Sequence, residues 1–149
     1  MGLQDRLRDD LKLALKAKDE CKLSVVRVLL AECKNEEKAR MHLLDDAEVV
    51  DVIGREAKRR KESIDAFRAG NRQDLVDNEE AALAIITTYL PEQMSRGEVV
   101  AVVREVVETT GASGPKDKGR VMSQLMPRVK GRADGKMVND IVTELLASL

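Results

Sequence analysis

Apolar residues recur three and four positions apart along nearly the whole chain, so its elements are read as helices and its core as packed helix faces. Leu3, Leu7, Leu11, Ala14 and Leu15 form the first stripe. Asp19 is placed to cap a second helix, whose Leu23, Val26, Leu29, Leu30 and Cys33 make a broad apolar face before the charged stretch 34–40. Asp45 or Asp46 restarts the chain, and a third helix runs to about Ala69 with Gly70 and Asn71 as its stop. Its stripe of Val49, Val52 and Ile53 resumes only at Ile64 and Phe67. Residues 54–63 between them are nearly all charged, so this helix is expected to project beyond the core there with a solvated face. A fourth helix covers roughly 74–89, using Leu75, Ala82, Leu83, Ile86 and Tyr89.

Pro91 biases Leu90 away from the α region and ends that helix. Ser95 and Glu98 then read as a capping box opening a fifth helix through about Thr110. The Val-rich run 99–107 makes a strand the competing reading. The cap, the length and the spacing of Val99, Val103 and Val106 favour a helix. Pro115 stands near the start of a sixth helix carrying Val121, Met122, Leu125 and Met126, whose last turn Pro127 disturbs. Gly131 or Gly135 closes the link to a seventh helix from about Ala133, with Met137, Val138, Ile141, Leu145 and Leu146. The expected architecture is all-α. A four-helix N-terminal part, residues 1–92, has a long projecting third helix, and a compact three-helix tail domain follows, residues 93–149.

Several functional classes are set aside by composition. The 149 residues fit one domain or two small ones. Apolar residues are 43% and charged residues 36%, which excludes a disordered charged tail. Phe67 and Tyr89 are the only aromatics, too few for a base-stacking surface. No apolar run approaches the roughly 20 residues of a membrane span. The N-terminus lacks the apolar stretch of a signal peptide, and Arg6 stands where N-myristoylation wants Ser or Thr. Cys21 and Cys33 would lie about 18 Å apart on one helix and cannot bridge, so a reducing cytoplasm is the expected compartment.

The residues offer little for catalysis. No Gly-rich phosphate loop, nucleophile elbow or paired nucleophile and base is present. Both Cys fall in apolar stripes and are expected to be small buried hydrophobes. His42 is expected in a solvated loop, and Glu79 and Glu80 on a solvent-facing helix face. With one His, no metal site can be assembled, and no catalytic residue or cofactor is expected.

Charge is unevenly divided. Residues 1–92 hold 17 Lys+Arg and 20 Asp+Glu, and residues 93–149 hold 9 and 7. Within the tail, Lys116, Lys118, Arg120, Arg128, Lys130, Arg132 and Lys136 face only Asp117 and Asp134 over the same segment. They bracket the turn between the last two helices, a reasonable phosphate-contacting surface. A second cluster, Arg55 and residues 58–61, is interrupted by Glu56 and Glu62 and is expected to be a solvated face.

The segment 119–139, GRVMSQLMPRVKGRADGKMVN, resembles the tail domain of the B subunit of tRNA-dependent amidotransferases. The N-terminal part is similar to the freestanding YqeY-like family at Leu23-Ser-Val-Val-Arg-Val-Leu, at Arg55-Glu-Ala-Lys-Arg-Arg-Lys-Glu-Ser-Ile and at Tyr89-Leu-Pro-Glu-Gln-Met94. Within the motif, Gly119 is expected to permit close helix approach, and Val121, Met122 and Met126 to fill the core. Gly131 is expected at a backbone reversal that Asn139 ties by hydrogen bonding, with Ala133 beside it.

The resemblance implies a tail that grips tRNA, and it attaches the label of a carbon–nitrogen ligase with glutamine as amide donor. It supplies no catalytic centre, because the chain lacks the B subunit's large cradle and the amidase subunit's Ser/Lys site. The leading expectation is an accessory protein binding tRNA through the seven tail cations. The alternative is an adaptor docking a protein, such as an amidotransferase or synthetase component, through the charged third helix.

Overall fold

The computed structural model describes residues 2–149, which form helices and turns with no strand among them. In order they are α1 (Leu3–Ala17), α2 (Glu20–Arg40), α3 (Asp46–Ala69), α4 (Gln73–Thr87), α5 (Arg96–Thr110), a 3₁₀ turn (Pro115–Asp117), α6 (Lys118–Val129) and α7 (Gly135–Ala147). They fall into two compact units, one ending at Leu90 and one spanning Pro91–Leu149. Each has its own apolar core.

In the first unit Leu7, Val26, Leu29, Cys33, Val49, Ile53 and Ile86 bring one face of each of α1–α4 into a fully buried centre. Asp19 caps α2 by accepting from the Lys22 N–H at 3.1 Å. Asp45, rather than Asp46, caps α3: it accepts from the Glu48 N–H at 2.8 Å, and Glu48 returns a bond to its own N–H at 3.2 Å. Asp46 instead accepts from the Leu3 N–H at 2.9 Å, tying the start of α1 to α3. The left-handed residue after α3 is Asn71 (φ 57°), and Gly70 takes an ordinary φ of −86°.

The projecting, solvated third helix is corrected at its charged middle. Glu56 and Ala57 are buried there and Arg60 is half-buried. The reason lies on other helices. Glu79 of α4 meets Arg60 at 3.1 Å, Glu80 meets Arg68 at 2.9 Å, and Glu36 of α2 meets Arg55 at 2.9 Å. Glu79 is correspondingly half-buried, not solvent-facing.

Where the chain leaves α4, the Tyr89 ring is buried and its hydroxyl donates to the Asp10 carboxylate. Arg6 stacks 4.6 Å from the ring centre and donates to the Thr88 carbonyl at 3.2 Å. Burial, reinforced by Asp10, raises the Tyr89 hydroxyl well above its usual pKa, so it stays a donor.

In the second unit the Val-rich segment is helical. Ser95 accepts from the Glu98 N–H at 3.2 Å, which starts α5, and Val99, Val103 and Val106 face inward. They meet Val121, Leu125 and Val129 of α6 and Val138, Ile141, Val142 and Leu146 of α7. Pro127 lies within the last turn of α6, yet the helix continues to Val129. Met122 and Met126 pack half-buried against this core.

The role expected of Gly119 is also corrected. It is exposed, and a Cβ built on it would meet nothing within 4 Å, so no neighbouring helix approaches it closely. A glycine in an open helical position only adds freedom to the unfolded chain. Gly119→Ala is therefore expected to stabilise the second unit by roughly 0.5–1 kcal/mol, read as a raised urea midpoint.

Candidate nucleic-acid interface

The seven tail cations do not make one patch. Lys116, Lys118 and Arg120 belong to the 3₁₀ turn and the start of α6, whereas Arg128, Lys130, Arg132 and Lys136 surround its end and the start of α7. Along α6 the nearest members, Arg120 and Arg128, stand eight residues or about 12 Å apart. Grouped around one turn in sequence, they are divided because they sit toward opposite ends of α6.

Within the first group, Arg120 pairs with Asp117 at 3.3 Å. Asp117 in turn accepts from the Ser113 N–H at 2.9 Å. That bond, with the nearby Arg120 and Lys116 charges, holds its carboxyl below the usual carboxylate range, so it remains anionic. Lys118 is half-buried, and Lys116 is exposed. Within the second group, Arg128 pairs with Glu105 of α5 at 3.1 Å. Lys130 and Lys136 are exposed.

Arg132 has a structural part. Its Nε donates to the Glu92 carbonyl at 3.2 Å, and its own carbonyl accepts from the Met94 N–H at 2.8 Å. Gln93 completes the tie by donating to the Gly131 carbonyl at 3.0 Å. Gly131 has φ 76°, the left-handed backbone that the reversal requires. The turn is thus pinned by residues 92–94. Asn139, expected to tie it, lies within α7, where its carbonyl accepts from the Thr143 hydroxyl at 2.9 Å. Ala133 closes the same turn through its N–H to the Val129 carbonyl at 3.0 Å. The Glu-Gln-Met segment before α5 carried this signal in sequence, but its partner lies 38 residues away.

The remaining chemistry-bearing residues are dispersed. Cys33 is buried, and desolvation followed by the charge of Glu37 pushes its thiol up to about 11, which withholds the reactive thiolate. Cys21, expected to be buried, is exposed because it lies on the outer side of α2. His42 occupies the exposed link after α2, with Nε2 3.5 Å from Glu48. An open cleft of about 560 Å³ lies in the second unit, lined by Arg104, Val107, Glu108, Ala112, Leu145 and Leu149 among others. No three His, Cys, Asp or Glu among the described residues gather as metal ligands, and no helix of the described residues is long and apolar enough to cross a membrane.

Comparison with known proteins gives a consistent relationship. The family model described as "Yqey-like protein" matches residues 4–146. A protein of Pyrenophora tritici-repentis named "Altered inheritance of mitochondria protein 41, mitochondrial" is 30% identical over 96% of this chain and 80% of its own length. Proteins of the same name from Lachancea thermotolerans and Saccharomyces cerevisiae are 36% and 37% identical over 73% and 58% of this chain. The chain spans only 60% and 47% of those two relatives. The expectation of a cytoplasmic protein is overturned by these relatives, all of which are named as mitochondrial. Unpaired cysteines speak only against an oxidising compartment and do not select among the others. With the match covering nearly every residue, the chain belongs to the Yqey-like protein family.

Proposed function

We propose that this chain is a tRNA-binding accessory protein whose second unit grips the phosphate backbone. The observation that carries the reading is the exposed cationic surface around α6, in a segment resembling the tail of the amidotransferase B subunit. Lys116, Lys130 and Lys136 are the main contacts. Arg120 and Arg128 are exposed and can trade Asp117 and Glu105 for phosphate, since exposed pairs of this kind are worth little. Lys118 and Arg132 position the surface from half-buried sites. Phe67 and Tyr89 both belong to the first unit, so the second has no ring to stack on a base and recognition is by shape. A link to glutamine-dependent amide transfer enters only as help to an enzyme that holds the catalytic site. The adaptor alternative is the weaker reading, because acids of α2 and α4 already engage Arg55, Arg60 and Arg68 of α3.

Binding of bulk tRNA, titrated against salt, tests the proposal. The log of affinity should fall linearly with log salt. Changing Lys116, Lys130 and Lys136 together to Ala should reduce that slope by roughly 2. No binding at low salt, or an unchanged slope in the triple variant, would reject it.

A further inference from the structure

Helix α2 carries charges of both signs, and packing sorts them. Three of its four acids turn toward neighbours. Glu32 reaches Arg59 at 4.0 Å, and Glu36 bonds Arg40 and Arg55 at 2.8 and 2.9 Å. Glu37 accepts from the Leu44 N–H at 3.0 Å and from Gln4 at 3.1 Å. These bonds hold Glu36 and Glu37 below the usual carboxylate range: Arg40 first for Glu36, and the Leu44 N–H first for Glu37. All three acids are half-buried along the flanks of the helix.

The outward face is different. Ser24, Arg27, Ala31, Lys34, Asn35 and Lys38 are all exposed, and their three- and four-residue spacing puts them on one stripe. Arg27, Lys34 and Lys38 have no ion-pair partner among the described residues. Only Glu20, one turn before Ser24, puts a carboxylate at the far end. From Arg27 to Lys38 the stripe runs about 16 Å, enough to meet several phosphates of one strand.

From this sorting of charge we infer that the outer face of α2 is a second polyanion-binding surface, made by Arg27, Lys34 and Lys38 in the first unit and directed at the phosphate backbone of RNA. The inference rests on the reading that the chain binds RNA, and it adds a contact surface outside the tail. The neighbours on the stripe fit this partner. Ser24 and Asn35 offer hydrogen-bond donors suited to phosphate and 2′-hydroxyl groups. The largest apolar side chain on the stripe is that of Ala31, whereas a helix lying in a bilayer surface needs Leu, Phe or Trp on its inserted face. The lysines alone would suit an anionic membrane; within the stripe no large apolar side chain accompanies them, and the exposed Met41 and Leu43 lie only past its C-terminal end, which favours RNA.

The test uses the full chain and bulk tRNA. Four proteins are compared over a salt series: the wild type, the variant R27A/K34A/K38A, the tail variant K116A/K130A/K136A, and a charge-matched control, K12A/K58A/K61A. Every substituted residue is exposed, and far-UV circular dichroism verifies that each variant keeps its helices. The α2 variant should bind more weakly, with its salt slope reduced by roughly 2, while the control keeps the wild-type slope. A reduced slope in the tail variant with none in the α2 variant overturns this inference and leaves the tail reading standing. Equal losses in the α2 variant and the control also overturn it, since a general charge effect would then explain both. No tRNA binding by the wild type removes the tail reading and this one together. Binding of the wild type to phosphatidylserine vesicles, lost in the α2 variant while tRNA binding is kept, overturns it in favour of a membrane surface.

Discussion

Glu56→Ala is expected to destabilise the first unit by about 3 kcal/mol, measured by urea unfolding. Glu56 is 4% exposed, and its Oε1 accepts from Arg60 Nε at 3.0 Å. Arg60 continues to Glu79 on α4, so one carboxylate anchors a chain of charges across α3 and α4. Alanine removes the anchor and leaves a half-buried guanidinium with a single partner. The expected loss stays at the lower end for such a deletion because Glu79 remains. Its second oxygen sets up a sharper comparison. Oε2 is buried without a hydrogen bond, although Arg59 lies 3.0 Å away. That spacing permits attraction, but the donor is out of line. An orphaned acceptor works against the native state. Glu56→Leu keeps volume and removes that acceptor, so it is expected to recover more than half of the alanine loss. If both variants are equally destabilised, the charge itself, rather than the space it fills, carries the stability.

Leu125→Ala is expected to cost the second unit about 3 kcal/mol, the usual range for a fully buried leucine being about 2.7–5 kcal/mol. Leu125 has no exposed surface and stands between Val121 and Val129 on the inner face of α6. A unit of about 60 residues without a disulfide has little stability in reserve, so this loss should take most of it. Amide exchange should show α5, α6 and α7 losing protection together. Met126→Ala, on the half-buried margin of the same helix, should cost no more than about 1 kcal/mol, because a flexible side chain at the surface leaves a smaller void. A Leu125→Ala protein with unchanged exchange in α5–α7 would mean that the second core is not the source of the unit's stability.

Much of the fold was legible in the sequence, because helix formation depends on residues within a turn or two of each other. The apolar period, Asp19 and Ser95 act over that range, and each does in the structure what its spacing implies, whereas α4 already ends at Thr87, ahead of the Pro91 break. The competition between helix and strand at residues 99–107 was settled by Ser95 for the same local reason. The errors share another origin. Gly119 carries a glycine's usual signal for close packing, but that packing needs a neighbour, and none comes within 4 Å. The middle of α3 looks hydrophilic on its own helix, and the helices packed against it decide that Glu56 is buried.

The candidate site divides along the same line. Its cations, its lack of aromatics and its family resemblance are properties of the chain, and they point to a polyanion before any folding is known. Which cations are available is a different question. Glu105 reaches Arg128 from 23 residues away, Glu92 holds Arg132 from 40, and Glu36 holds Arg55 from 19. The sequence alone determined seven helices, the caps of α2 and α5 and a cationic tail, since periodicity and capping act between near neighbours. The tertiary structure decided which charges are engaged across helices and which face solvent, because an ion pair between distant positions forms only where packing brings their helices within about 4 Å.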